Sequence, residues 1–173
     1  TEINDLNGFC EDLRQSPRNN FRQPRSINLQ YRGWDEDDDT NIDFANQLGW
    51  EKLDLPLFWT GGNFMTDGYG MGFSTRVMVS ENNIEESNFY NIIQEYLNID
   101  NYHIFENPNE ESIQHIDCFA KLVNSETVII KQVSESSSEY ECIENFANSF
   151  YELNTFYERP FNIHRVFCPE ING

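Results

Sequence analysis

At 173 residues, with 38% hydrophobic and 14% aromatic side chains, the chain is long enough to bury one core, and disorder throughout is not expected. Eleven Lys and Arg against 30 Asp and Glu give a net charge of −19, which repels nucleic acid and anionic membrane surfaces and attracts cationic ligands. No apolar run reaches the roughly 18 residues that a membrane-spanning helix needs. Residues 1–30 read as an irregular basic N-terminal segment, with Arg14, Arg18, Arg22 and Arg25 and with Pro17 and Pro24 breaking any long helix. The chain's own acidic body is the simplest partner for this segment, since no aromatics are interleaved among its arginines at regular spacing. A strand is expected near Ile27 to Tyr31. Asp35-Glu36-Asp37-Asp38-Asp39 reads as a solvated turn, because the glycine that an EF-hand calcium loop places sixth is absent.

Thr40 is expected to cap a helix from Asn41 to Leu48, with Ile42, Phe44, Ala45 and Leu48 on its buried side and Gly49 at its exit. Leu53 to Trp59 follows as a strand and runs into Gly61-Gly62-Asn63-Phe64-Met65-Thr66-Asp67-Gly68-Tyr69-Gly70. Four glycines in ten positions suit a backbone bent tightly around something. Phe73 to Ser80 reads as a second strand, so that the bend joins two extended runs as a hairpin would. Residues 84–97 then place Ile84, Phe89, Ile92, Ile93, Tyr96 and Leu97 at helical spacing.

Strands are expected at His103 to Phe105, His115 to Val123 and Thr127 to Val133, with Asn124-Ser125-Glu126 turning between the last two. A second amphipathic helix spans Glu139 to Leu153 through Tyr140, Ile143, Phe146, Ala147, Phe150 and Leu153, and Asn162 to Phe167 closes as a strand. Strands followed by a helix recur at roughly 50 to 60 residues, which implies an α/β protein of repeated modules in one domain over residues 1–173.

Cys10, Cys118, Cys142 and Cys168 have neither a C-x-x-C pair nor zinc-finger spacing, so no structural metal is expected. Cys118 and Cys142 read as small buried apolar residues. The sequence begins at Thr1, without an initiator Met or a recognisable signal peptide; the compartment is left open between secreted and cytoplasmic, leaning to secreted.

The chemistry-bearing stretch is Gln114-His115-Ile116-Asp117-Cys118. On an extended strand His115 and Asp117 would point the same way, giving one surface a proton carrier and an anion. Taken singly, His115 reads as a satisfied structural histidine and the glycines as shaping an ordinary hairpin. Together, Leu55-Pro56-Leu57-Phe58-Trp59-Thr60 leading into the glycine-rich stretch, followed by His-Ile-Asp-Cys-Phe-Ala-Lys, resembles the porphyromonad-type peptidylarginine deiminases and, more distantly, the agmatine deiminases. The resemblance covers about residues 30 to 133. It implies a pentein-type α/β propeller of ββαβ-like modules, of which this chain would hold about three of five.

The family's reaction turns an arginine guanidinium into a citrulline ureido group with release of ammonia. It needs a thiolate nucleophile, a proton carrier and anions around the planar cation, and no cofactor. The resemblance implies that His115 is the general acid and base, that Asp117 holds guanidinium nitrogens in a forked geometry and that Asp67 is a further active-site carboxylate. It assigns Asn63, Arg32 and Trp34 to substrate binding; Arg32 would keep one of two arginines that grip a C-terminal carboxylate, with Trp34 replacing the other. Gly61, Gly62 and Asn63 stand where agmatine deiminases carry Glu-Gly-Gly, with Thr60 in place of the Glu, which argues against agmatine. The family's nucleophilic cysteine belongs to a module beyond Gly173, and neither Cys168 nor Cys118 is taken as a substitute. The expected partner is therefore an arginine-containing peptide or small guanidino substrate, with a second chain or further segment completing the site. The alternatives are a non-catalytic arginine-binding module of the same fold and an inactive fragment.

Overall fold

The computed structural model describes residues 25–30, 38–107 and 113–169. Arg32, Trp34, the basic stretch before residue 25 and residues 35–37 of the acidic run lie outside the described residues. Three sheets make up the fold. Strand β1 (Arg25–Gln30) pairs in parallel with β2 (Glu51–Phe58) across helix α1 (Asp38–Leu48). Strands β3 (Met65–Thr66), β4 (Met71–Thr75) and β5 (Asn101–Phe105) form the second sheet in that order, antiparallel and then parallel. The crossover from β4 to β5 carries α2 (Val77–Asn82) and α3 (Glu86–Ile92), which continues as a π-helical turn over Ile93–Leu97.

Strands β6 (Ala120–Asn124), β7 (Thr127–Gln132) and β8 (Asn162–Phe167) repeat the pattern, with α4 (Tyr140–Tyr151) in the parallel crossover. A hairpin, a helical crossover and a parallel third strand thus occur twice in succession. The three sheets do not join into a closed barrel among the described residues.

Strand β4 is buried at all five positions because it is the middle strand of its sheet and has apolar layers on both faces. On one side Met71 and Phe73 join a core with Phe105, Val128, Ile130 and the inner face of α4, namely Ile143, Phe146, Ala147 and Phe150. Phe150 stacks on Phe73 at 5.6 Å and on Phe105 at 4.6 Å, so a helix of the third sheet's module is packed into the second sheet. On the other side Tyr102 joins Met78, Phe89, Ile93 and Leu97 from the crossover helices and Leu55, Leu57 and Trp59 from the first sheet. A β-carbon on Gly72 would meet the Tyr102 ring at 2.6 Å, so β4 and β5 depend on a residue without a side chain there.

Several expected elements are corrected. Helix α1 already contains Thr40, which is therefore not its cap. The run Phe73 to Ser80 is a strand only as far as Thr75. Beyond it Arg76 donates its backbone N–H to the Phe105 carbonyl at 2.8 Å, its guanidinium pairs with Glu86 and Glu106, and the chain turns into α2. Val77 and Val79 are β-branched and favour a strand locally, but Asn82 holds the end of α2 to both backbone groups of Phe58. The glycine-rich bend does form a hairpin, between β3 and β4 instead of between the Leu53 to Trp59 run and its successor; that earlier run is β2, in a different sheet. No helix among the described residues is long and apolar enough to cross a membrane.

Candidate functional site

Each of the two three-stranded sheets is led in by a single 3-10 turn. In the first, Asn63 donates its N–H to the Thr60 carbonyl (2.9 Å) and Phe64 to the Gly61 carbonyl (3.2 Å). In the second, Cys118 donates to the His115 carbonyl (3.1 Å) and Phe119 to the Ile116 carbonyl (3.0 Å). A phenylalanine then leads into the hairpin in both. The two turns meet at their middle residues. A β-carbon placed on Gly62 would lie 2.7 Å from Asp117 Oδ2 and 3.1 Å from Oδ1, so only glycine lets the carboxylate approach this backbone.

Asn63 locks the turns together. It is fully buried, and its side-chain carbonyl accepts from Thr75 N–H (3.0 Å) and Ile116 N–H (3.1 Å), with the Thr75 hydroxyl also 3.0 Å away. Two backbone donors converging on one atom fix which end of the amide is oxygen. Asn63 Nδ2 is buried without a hydrogen-bond partner among the described residues. The expectation that Asn63 contacts substrate is not carried by this geometry, because its acceptor is committed inside the protein.

His115 and Asp117 do not lie on a strand, since β6 begins only at Ala120. They flank Ile116, whose side chain is fully buried as the plug that seats the turn, leaving Asp117 exposed and His115 half-buried. Strand alternation therefore gives no argument for a shared face; a turn anchored between them keeps both near the surface. Asp117 has no ion pair among the described residues. Its neighbours are Gly62 and the Cys118 thiol, 3.8 Å from Oδ1. Cys118 and Cys142 are exposed, against the expectation that both are buried, and Cys118, Cys142 and Cys168 are free thiols. Partial burial and then the Asp117 carboxylate push the Cys118 thiol up from its ordinary range, which disfavours the thiolate.

Asp67 sits elsewhere. Its Oδ1 accepts from Tyr69 N–H (2.8 Å) and Met71 N–H (2.9 Å), closing the β3–β4 turn through Gly68 and Gly70, both at positive φ. Strand β4 runs from Met71, beside Asp67, to Thr75, beside Asn63. Four steps of about 3.3 Å separate those ends by about 13 Å. Tyr69, in the same turn, packs on Phe156 and Tyr157 of the loop before β8. Asp67 thus closes the turn end of the hairpin, while Asn63, which holds Ile116 between His115 and Asp117, stands at the other end. Burial raises the Asp67 carboxyl above its ordinary value in spite of the backbone N–H groups it accepts.

Sequence reasoning missed Thr75 and Gln114, which complete the anchoring of His115. A strand-end threonine and a loop glutamine carry no signal of their own until the fold brings them together. Among the described residues no group of three or more His, Cys, Asp or Glu side chains could hold a metal ion.

Residues 21–172 match the model of a protein family described as Porphyromonas-type peptidyl-arginine deiminase. Solved structures of similar fold include a Porphyromonas gingivalis protein assigned as an arginine deiminase (18% identity, TM-score 0.74, 87% of this chain and 49% of that one). The agmatine deiminase of Enterococcus faecalis matches at 19% identity and TM-score 0.72, over 86% of this chain and 45% of that one. That of C. jejuni matches at 13% identity and TM-score 0.67, over 86% and 46%. At such identities the likeness is one of fold, a mixed α/β arrangement similar to the pentein deiminases. The chain spans about half the length of the solved structures it matches.

Proposed function

The chain belongs to the Porphyromonas-type peptidyl-arginine deiminase family, and from that premise we propose that it carries the guanidinium-holding and proton-transfer part of a hydrolase that converts peptidyl-arginine to citrulline. In this reading Asp117 accepts N–H hydrogen bonds from the flat cation, a match that a carboxylate makes with two parallel donors. A thiolate attacks the central guanidinium carbon, His115 gives a proton to the departing nitrogen, and ammonia leaves. Water then attacks the resulting thiouronium with His115 as base, and the thiolate departs from the ureido product. The thiolate comes from residues other than Cys118, Cys142 and Cys168: burial and the Asp117 carboxylate disfavour a Cys118 thiolate, Cys142 lies on α4 away from Asp117, and the Cys168 thiol rests on the Val166 carbonyl.

The observation that carries the reading is the exposed Asp117 carboxylate, seated over Gly62 and next but one to His115, with no cation of the described residues opposite it. Thr60, where agmatine deiminases carry Glu, favours a peptide arginine over agmatine as substrate. Closure of further modules around the site, by more chain or by a second polypeptide, belongs to the same proposal. The same exposed carboxylate also fits a second reading, a non-catalytic module that binds arginine side chains. Calorimetric titration with N-acetyl-arginine amide tests the pocket common to both: the chain binds and Asp117→Ala does not. Equal affinity of the two proteins removes Asp117 from the site.

A further inference from the structure

We propose that Thr75 and Asn63 are positioning residues for His115, gripping the backbone on both sides of it. The inference rests on His115 being the proton carrier of the reading above. On the N-terminal side, Gln114 is held at φ +60, the left-handed region that side-chain-bearing residues seldom occupy, and its carbonyl accepts the Thr75 hydroxyl at 2.7 Å. On the C-terminal side, the Ile116 N–H is given to Asn63 Oδ1 at 3.1 Å. Thr75 N–H donates to that same oxygen, so both grips issue from one buried Thr75–Asn63 pair, each residue fully enclosed. A hydroxyl carries one proton, and the shorter distance assigns it to Gln114.

Burying two polar side chains where β4 meets a loop costs desolvation that an apolar pair would avoid. The arrangement returns something an apolar pair cannot: a fixed backbone on either side of one residue. The His115 side chain itself makes no hydrogen bond among the described residues, so what these contacts fix is the backbone position from which its imidazole projects. A proton carrier must meet its substrate within hydrogen-bond reach, and an error of an ångström there is costly.

The test compares Thr75→Val, which keeps shape and removes the hydroxyl, with Thr75→Ser, which keeps the hydroxyl. Proton NMR reads the Gln114 backbone coupling constant and the ring signals of His115, His103 and His164, and calorimetry reads affinity for N-acetyl-arginine amide. Thr75→Val is expected to change the Gln114 coupling and the His115 ring signals, to leave His103 and His164 in place, and to weaken binding roughly three- to tenfold, the loss of about one hydrogen bond. Thr75→Ser is expected to restore all three readouts. Unchanged Gln114 and His115 signals in a folded Thr75→Val protein overturn the inference, as does a failure of Thr75→Ser to restore them. Should the unaltered chain not bind the ligand at all, the functional reading fails on that measurement, and the grip on residue 115 is still decided by the NMR signals.

Discussion

Gly62 and Asp117 hold the same middle position in two turns of the same kind, and they touch: a β-carbon on Gly62 would stand 2.7 Å from the Asp117 carboxylate. One turn supplies the anion and the other supplies the absence of a side chain. Gly62→Ala is therefore expected to push the carboxylate aside. Because Asp117 is exposed and free to swing, the melting temperature should change little, while affinity for N-acetyl-arginine amide falls about tenfold or more, the scale of a displaced charge-assisted hydrogen bond. Calorimetric titration beside a thermal melt separates the two effects, and unchanged affinity would falsify the placement of the anion.

Asn63→Ala should act on folding. It leaves the Thr75 and Ile116 N–H groups buried without their acceptor, at about 1–3 kcal/mol each, for a loss of roughly 2–6 kcal/mol in urea unfolding. A loss under 1 kcal/mol would mean that the amide is not the acceptor for both.

Much of the frame could be read from residue spacing. The closing strand has the expected bounds, Asn162–Phe167, and α4 buries the expected Ile143, Phe146, Ala147 and Phe150, because a period of 3.6 reports the buried face of a helix directly. The turn at Ile116–Cys118 was not legible: Ile-Asp-Cys-Phe-Ala alternates as a strand would, and the long-range bonds from Ile116 N–H to Asn63 and from the Thr75 hydroxyl to Gln114 select the turn. Val77 to Ser80 was misread for a related reason, a local β preference overruled by contacts with Phe58 and Phe105. Asp67 shows the limit for sites. Asp-Gly is equally the mark of a turn and of a reactive carboxylate beside a flexible backbone, and the two readings differ only in where the hairpin ends.

Phe150 connects the two modules, and Phe150→Ala removes a ring stacked on both Phe73 and Phe105. The expected loss is about 3–5 kcal/mol in urea unfolding, the range for emptying an aromatic site in a core. A loss below 1 kcal/mol would mean that the modules do not share this core.

Asp67 makes stability depend on pH with an unusual sign for a carboxylate. Its folded-state value is raised by burial, so the folded protein binds the proton more tightly than the unfolded chain does. The stabilisation is complete below the ordinary carboxyl range, near pH 4, and is lost as pH rises through the raised folded value. Asp67→Asn keeps an acceptor for Tyr69 and Met71 without the charge. Over that window its unfolding free energy should vary less with pH than that of the unaltered chain, and its advantage should appear on the alkaline side. An advantage confined to acid would reverse the sign and refute the raised value.

The reactivity of Cys118 tests whether the anion that suits a guanidinium also keeps this thiol out of the chemistry. Burial comes first among the causes that raise it, and the Asp117 carboxylate, through its charge and the 3.8 Å contact, adds to the effect. A thiolate forming beside that carboxylate would place two anions together, so at neutral pH the thiol stays protonated and alkylates slowly. Asp117→Asn removes one of the two causes and leaves the burial in place. Alkylation of Cys118 by iodoacetamide, followed by mass spectrometry at a series of pH values, should be faster in Asp117→Asn, and its pH profile should move to lower pH. Cys142 and Cys168 in the same sample serve as internal references, because neither contacts Asp117. If Cys118 is instead the most reactive of the three in the unaltered chain and slows on Asp117→Asn, the carboxylate is activating the thiol, and Cys118 becomes the nucleophile that the proposed reaction assigns elsewhere.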